Sequence, residues 1–127
     1  MDVTPTIPED RRYIDSYGPG RFQVSKQGYT GSLLVFPDLV ISWTGIAEMG
    51  DLTVAAFAPI LERPRRPEVL LLGCGQRMQL LPSALRSALR AEGLALDPME
   101  TGAACRSYNI LLSEGRLVCA ALIALPG

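Results

Sequence analysis

Between Asp97 and Arg116 the chain gathers Asp97, Glu100, Thr101, Arg106, Tyr108, Asn109, Glu114 and Arg116. Carboxylates, guanidinium groups, a phenol and a carboxamide at such density suit either an anion-binding cleft or a polar protein-binding surface. Arg106 and Asn109 stand three apart, so on a helix they share a face and present one polar surface. Glu100 belongs in the first turn, where a carboxylate complements the helix dipole. The same residues have a structural use: Arg106 with Glu114 or Arg116 can tie helix to strand while Tyr108 packs. At the level of sequence the two uses weigh about equally.

A second candidate precedes it. Gly73-Cys74-Gly75 follows the apolar run Glu68-Val69-Leu70-Leu71-Leu72 and, with Asp97 further along, imitates a dinucleotide fingerprint. Met78 occupies the position of the third glycine, and no helix is expected before about residue 82. A pyrophosphate needs helix N–H groups directly after the glycines. A P-loop is excluded because no Gly-Lys-Ser/Thr follows. The expectation is a tight strand exit in which glycine supplies a positive φ. Arg77 or a helix N-terminus could activate the Cys74 thiol, but the chain has no histidine to act as its base. Cys74 therefore reads as an inert small residue in a turn.

The elements that must position these groups follow from pattern. Residues 1–13, rich in Pro and polar groups, read as a flexible lead-in, and 14–127 as one domain. Tyr13–Val24 predicts two short strands around a Gly-Pro-Gly turn at 18–20. Runs 30–36 and 39–44 predict strands joined by Pro37-Asp38, with Trp43 packed on a sheet face. Val54, Phe57, Ile60 and Leu61 recur at helical spacing, with Asp51 as the cap. Arg63-Pro64-Arg65-Arg66-Pro67 is a loop, because its prolines interrupt helix and ladder alike. Its arginines make a phosphate-binding patch or a solvated connector, and short runs favour the connector.

Residues 68–72 lack alternation and predict a strand covered on both faces. Helix 82–92 shows a stripe of Leu81, Leu85, Ala88 and Leu89, with Pro82 at its start and Gly93 at its stop. A strand at 94–97, a helix over 99–115 and a strand at 116–125 complete the order. On the last helix Ala104, Tyr108, Leu111 and Leu112 should face inward, with Arg106, Asn109 and Ser113 outward. Hairpins followed by strand–helix–strand–helix–strand predict an α/β domain: a central mixed sheet, flanking helices and an N-terminal antiparallel extension.

Composition excludes several function classes. In 127 residues, 48% of them apolar, twelve basic side chains nearly cancel thirteen acidic ones for a net charge of −1. That leaves no electrostatic footprint for nucleic acid. Three unpaired cysteines and no histidine point to a reducing compartment and to no metal site or cofactor. No apolar stretch is long enough to span a bilayer, and the N-terminus carries no targeting pattern. The expected location is intracellular, with peripheral membrane association still open.

Taken together, the Gly-x-Gly turn, the Pro-started helix, Met99-x-Thr101, Ala104-x-Arg106-x-Tyr108-Asn109 and Glu114-x-Arg116 before an apolar strand resemble a known family. These are small α/β proteins of unknown function, the Mth-like domains. They include the mitochondrial complex I assembly factor three and an adipogenesis-associated Mth domain protein. The resemblance covers roughly residues 14–125. It implies a layered fold around a central mixed sheet, no established catalytic activity, and action as an assembly factor with protein partners such as respiratory-complex subunits. Relatives often carry Thr where this chain has Cys74, which weakens a thiol role. Set beside the mitochondrial members of the family, the missing targeting sequence implies the bacterial cytoplasm.

Two readings result. One is a non-enzymatic interaction protein, an accessory or assembly factor for a respiratory or other membrane-bound complex. Its surface would comprise Gly73, Gly75, Arg77, Met99, Thr101, Arg106, Tyr108, Asn109, Glu114 and Arg116, with Met78, Leu80 and Leu81 adding apolar area. The alternative is a small-molecule (anion) binder or an enzyme, with a cleft between loop 73–81 and helix 99–114. There Arg77 or Arg106 would hold the anion.

Overall fold

The computed structural model describes residues 11–126. Residues 1–10 of the expected lead-in lie outside that range. Residues just after them are tied down, Arg12 N–H donating to Pro37 O (2.8 Å) and Tyr13 N–H to Ser25 Oγ (3.2 Å).

Ile14–Gly18 (β1), Arg21–Val24 (β2) and Gln27–Thr30 (β3) form an antiparallel sheet in that order. β1, β2 and their Gly-Pro-Gly turn agree with the sequence pattern. β3 does not appear in that pattern, because the β2–β3 turn is made by Ser25 and Lys26 at φ 47° and 68°. Left-handed turns usually announce themselves with Asn or Gly. Here Asp15 Oδ2 accepts the Lys26 N–H at 2.6 Å instead. The run 30–36 is likewise broken at Gly31-Ser32, where the chain crosses to a second sheet.

That second sheet holds Leu33–Phe36 (β4), Leu39–Ser42 (β5), Val69–Gly73 (β6), Leu96–Met99 (β7) and Val118–Leu122 (β8), in the order β5-β4-β8-β6-β7. β6 runs parallel to β7 and β8, and β4 antiparallel to β5 and β8. The mixed sheet and its antiparallel N-terminal extension are the α/β architecture expected. β7 starts two residues later than the pattern indicated and admits Pro98, which an edge strand tolerates.

Both faces of this sheet are covered, which is why β6 and β8 do not alternate in polarity. On one face Leu34, Leu70, Leu72, Cys119 and Ala121 pack with Trp43, Phe57, Ile60 and Leu89. On the other, Leu33, Val35, Leu71, Ala120 and Leu122 meet Phe22 and Val24 of the small sheet together with Ala104, Tyr108 and Leu112. Trp43 is buried just beyond β5, its indole N–H donating to Ala56 O (2.7 Å) and its ring edge-on to Phe57 (5.4 Å).

The helix expected over 54–61 is a correction. Pro59 has no N–H to offer Ala55, so a 3₁₀ turn (Val54–Phe57) passes into a single α-turn, Ala58–Leu61 (α1). Thr53 caps it through Ala56 N–H (3.2 Å), whereas Asp51 serves an earlier turn, accepting from Ala47 and Glu48. Ser83–Ala91 (α2) carries the expected stripe and ends at Gly93 with φ 89°. Thr101–Ser113 (α3) starts later than expected because Met99 closes β7.

Candidate functional site

The Gly73-Cys74-Gly75 turn ends β6 against the start of α3, and Thr101 locks the junction. Its hydroxyl accepts the Gly75 N–H (2.8 Å) and donates to Ile123 O just beyond β8 (2.7 Å). Thr101 N–H donates to Gly75 O (2.9 Å), Cys74 N–H to Met99 O (2.8 Å) and Ile123 N–H to Gly73 O (3.0 Å). The hydroxyl is fully buried. Each glycine is required for its own reason. A Cβ at Gly73 would stand 3.0 Å from the Thr101 Cα and Oγ1, and Gly75 sits at φ 100°. With its N–H groups spent inside the protein, this turn is a joint rather than a phosphate cradle.

One and a half turns along α3, Arg106 lies over the N-terminal sheet. Its guanidinium donates to the Tyr17 hydroxyl (3.2 Å) and to Glu100 Oε1 (3.3 Å). Glu100 therefore answers Arg106 rather than the first turn of the helix, and it makes no side-chain cap hydrogen bond. Tyr17 reaches this place because residue 102 is glycine: a Cβ there would collide with the phenol. A contact spanning 89 residues leaves no local signal, so sequence reasoning does not find Tyr17.

Tyr108 is buried, and its hydroxyl donates to Arg12 O (2.7 Å). Burial raises its pKa, keeping the phenol neutral. Asn109 is a second correction. It turns inward, accepting the Ile14 N–H (2.9 Å) and donating to Ile14 O (2.7 Å). Its carboxamide thus replaces a neighbouring strand on the open edge of β1.

Glu114 and Arg116 lie at the far end of α3. Glu114 is the exposed C-cap residue, and Arg116 Nε pairs with Glu68 Oε2 (3.4 Å) ahead of β6. Thirteen helical residues, about 20 Å, separate them from Thr101. The structure accordingly gathers Gly73, Gly75, Met99 and Thr101 at one pole, with Arg106 close by. It buries or clasps Tyr108 and Asn109, and it places Glu114 and Arg116 at the other pole.

Residues 76–80 are exposed. In this loop Met78 is 54% and Leu80 66% exposed, while Leu81 is buried in the core. A groove of about 220 Å³ beside the loop is lined by Arg77 and Cys74, with Glu48, Met49, Ile123 and Ala124 opposite. The loop's neighbours in this groove are thus the 48–49 turn and the chain after β8. A separate depression of about 270 Å³ runs between β1 and α3, lined by Tyr17, Arg106 and Asn109.

All three thiols are buried. Desolvation pushes the Cys105 pKa up to about 12 and raises those of Cys119 and Cys74. Cys74 Sγ lies 3.4 Å from Gln79 O, to which it donates. Since the thiolate is the reactive form, iodoacetamide at pH 8 should label the native protein roughly a hundredfold more slowly than the urea-unfolded chain. Rapid native labelling at Cys74 would show an activated thiol.

Fold and site define a two-sheet α/β domain whose last helix clasps the N-terminal sheet and whose signature glycines and threonine form a buried joint. A family model described as protein of unknown function (DUF498/DUF598) matches residues 14–123, and the chain belongs to that family. It is 39% identical over 114 residues to an uncharacterised protein of Rhodobacter capsulatus, covering 90% of this chain and 86% of that one. It is 33% identical over 115 residues to human NADH dehydrogenase (ubiquinone) 1 alpha subcomplex assembly factor 3, covering 91% of this chain but 62% of the human protein. The solution structure of a Mth938-like domain from Bordetella pertussis superposes with a TM-score of 0.78 at 28% identity, covering 98% and 92% of the two chains. Among the described residues no helix is long and apolar enough to cross a membrane.

Proposed function

We propose that this protein is a non-enzymatic interaction protein, an accessory or assembly factor that works from the bacterial cytoplasm on a respiratory or other membrane-bound complex. Its contact surface is the exposed loop 76–80 together with Glu100, Arg106 and Tyr17 on the α3 side of the Gly75–Thr101 joint. The carrying observation is the side-by-side exposure of Met78 and Leu80, two large apolar groups next to Arg77. Buried at an interface, each would contribute about 1.5–3 kcal/mol, and apolar anchors with a polar rim are the usual anatomy of such contacts. The likeness to a protein named as a complex I assembly factor supplies the class of partner.

The test is a cross-linked capture of the tagged protein from its source cells, read by mass spectrometry, beside a Met78→Asp/Leu80→Asp variant. Subunits of a membrane-bound complex should be enriched and should fall by about tenfold or more in the variant, given the loss of two such anchors. Both side chains are exposed, so the thermal midpoint should not move. Recovery of the same subunits at the same level by the variant would sink the assignment of the loop. Capture of no membrane-complex subunit by the wild type would sink the reading itself.

A further inference from the structure

The Arg63–Pro67 run plays no part in that surface. It precedes β6, whereas loop 76–81 follows it, so the two lie at opposite ends of the sheet. There it meets Arg11, the Pro37-Asp38 turn and Leu117 around a groove of about 410 Å³, a size that suits a small-molecule ligand. Arginines at 11, 63 and 65 line this groove, and Asp38 is the one carboxylate lining it among the described residues. Asp38 is already engaged. Arg63 Nη2 donates to its Oδ1 (2.5 Å), and the same guanidinium lies over the Phe36 ring with Cζ 4.5 Å from the centroid. Arg63 is thereby fixed on two sides, and Asp38 has its charge matched.

Arg66 is occupied elsewhere, donating to Leu61 O (2.7 Å). Arg65 is exposed and makes no side-chain hydrogen bond or ion pair among the described residues. Pro64 sets the backbone φ directly before it, which limits how far the loop can wander. Arg63 with its guanidinium held, Arg65 on a stiffened loop and Arg11 line one concave surface.

We propose that this groove binds a small polyanion, a molecule bearing phosphate or carboxylate groups, with Arg65 and Arg11 gripping its oxygens beside the anchored Arg63. The planar guanidinium fork matches two oxygens of either group. The site is independent of the loop surface proposed above.

Pyrophosphate is titrated calorimetrically into the full chain at low ionic strength, and a parallel arm measures retention on phosphatidylcholine vesicles with and without phosphatidylglycerol. Saturable pyrophosphate binding is expected. Arg65→Ser and Arg11→Ser should each weaken it about tenfold or more, the effect of losing a hydrogen bond to a charged group. Arg90→Ser, on the exposed face of α2, removes the same charge elsewhere and should change it by less than about twofold. Arg65-dependent retention on the anionic vesicles without pyrophosphate binding would also support the site and would name a lipid headgroup as the source of the anion. Two results overturn the proposal: neither probe binding, or Arg90→Ser weakening binding as much as Arg65→Ser.

Discussion

Thr101→Val should destabilise the domain by about 3 kcal/mol, the largest effect expected from any substitution of nearly constant volume in this chain. The hydroxyl is fully buried and both accepts from Gly75 N–H and donates to Ile123 O. Valine fills the space but leaves a donor and an acceptor unpaired in the interior, at roughly 1–3 kcal/mol each. Those two groups belong to the ends of β6 and β8, so the loss falls where the α3 N-terminus is seated on the central sheet. Thr101→Ser keeps the hydroxyl and loses one methyl, at about 1 kcal/mol. Urea unfolding of the two variants separates the terms. If Val costs no more than Ser, the bonds are not what holds the joint, and packing is.

How much of this joint was legible depends on which part is asked about. The glycines at 73 and 75 and the Met99-x-Thr101 spacing stand out as a pattern, and a tight strand exit follows from Gly alone. Their reason does not, because it is a close approach between residue 73 and residue 101 that only the βαβ crossover creates. The order of elements was readable for a plainer cause. α2 declares its burial through the period of its apolar stripe, and β6 and β8 declare theirs through short unbroken apolar runs bounded by turns. β3 escaped because its turn uses Ser25 and Lys26, and the 54–61 segment because Pro59 breaks a pattern that otherwise has helical spacing. The polar motif on α3 was half readable. Its side chains were visible, but whether each faces solvent or β1 is decided by a sheet some ninety residues earlier in the chain. Exposure of Arg106 follows the helical pattern, and capture of Asn109 does not.

That capture leads to the second large effect. Asn109→Ala should cost about 2 kcal/mol, since it strips both polar groups of Ile14 of their partner at the edge of β1. The consequence should be local before it is global. β1 keeps its ladder with β2, and the Tyr108 hydroxyl still holds Arg12 O, so the small sheet loosens at its outer strand while the core strands stay closed. Amide exchange under native conditions can see the difference, because regions open with their own free energies. In the variant, the Ile14 amide should exchange at least about tenfold faster, and the protection of the Leu71 amide in β6 should fall only by the drop in overall stability. Equal acceleration at both amides would mean that β1 and the central sheet open as one unit, and that Asn109 belongs to the global core. Unchanged exchange at Ile14 would mean that β2 alone secures the strand. The distinction bears on function, because β1 carries Tyr17, the partner of Arg106. A loosened β1 would blur that part of the surface without touching Met78 or Leu80, so weaker capture of a partner by Asn109→Ala would place the β1 side of α3 within the contact.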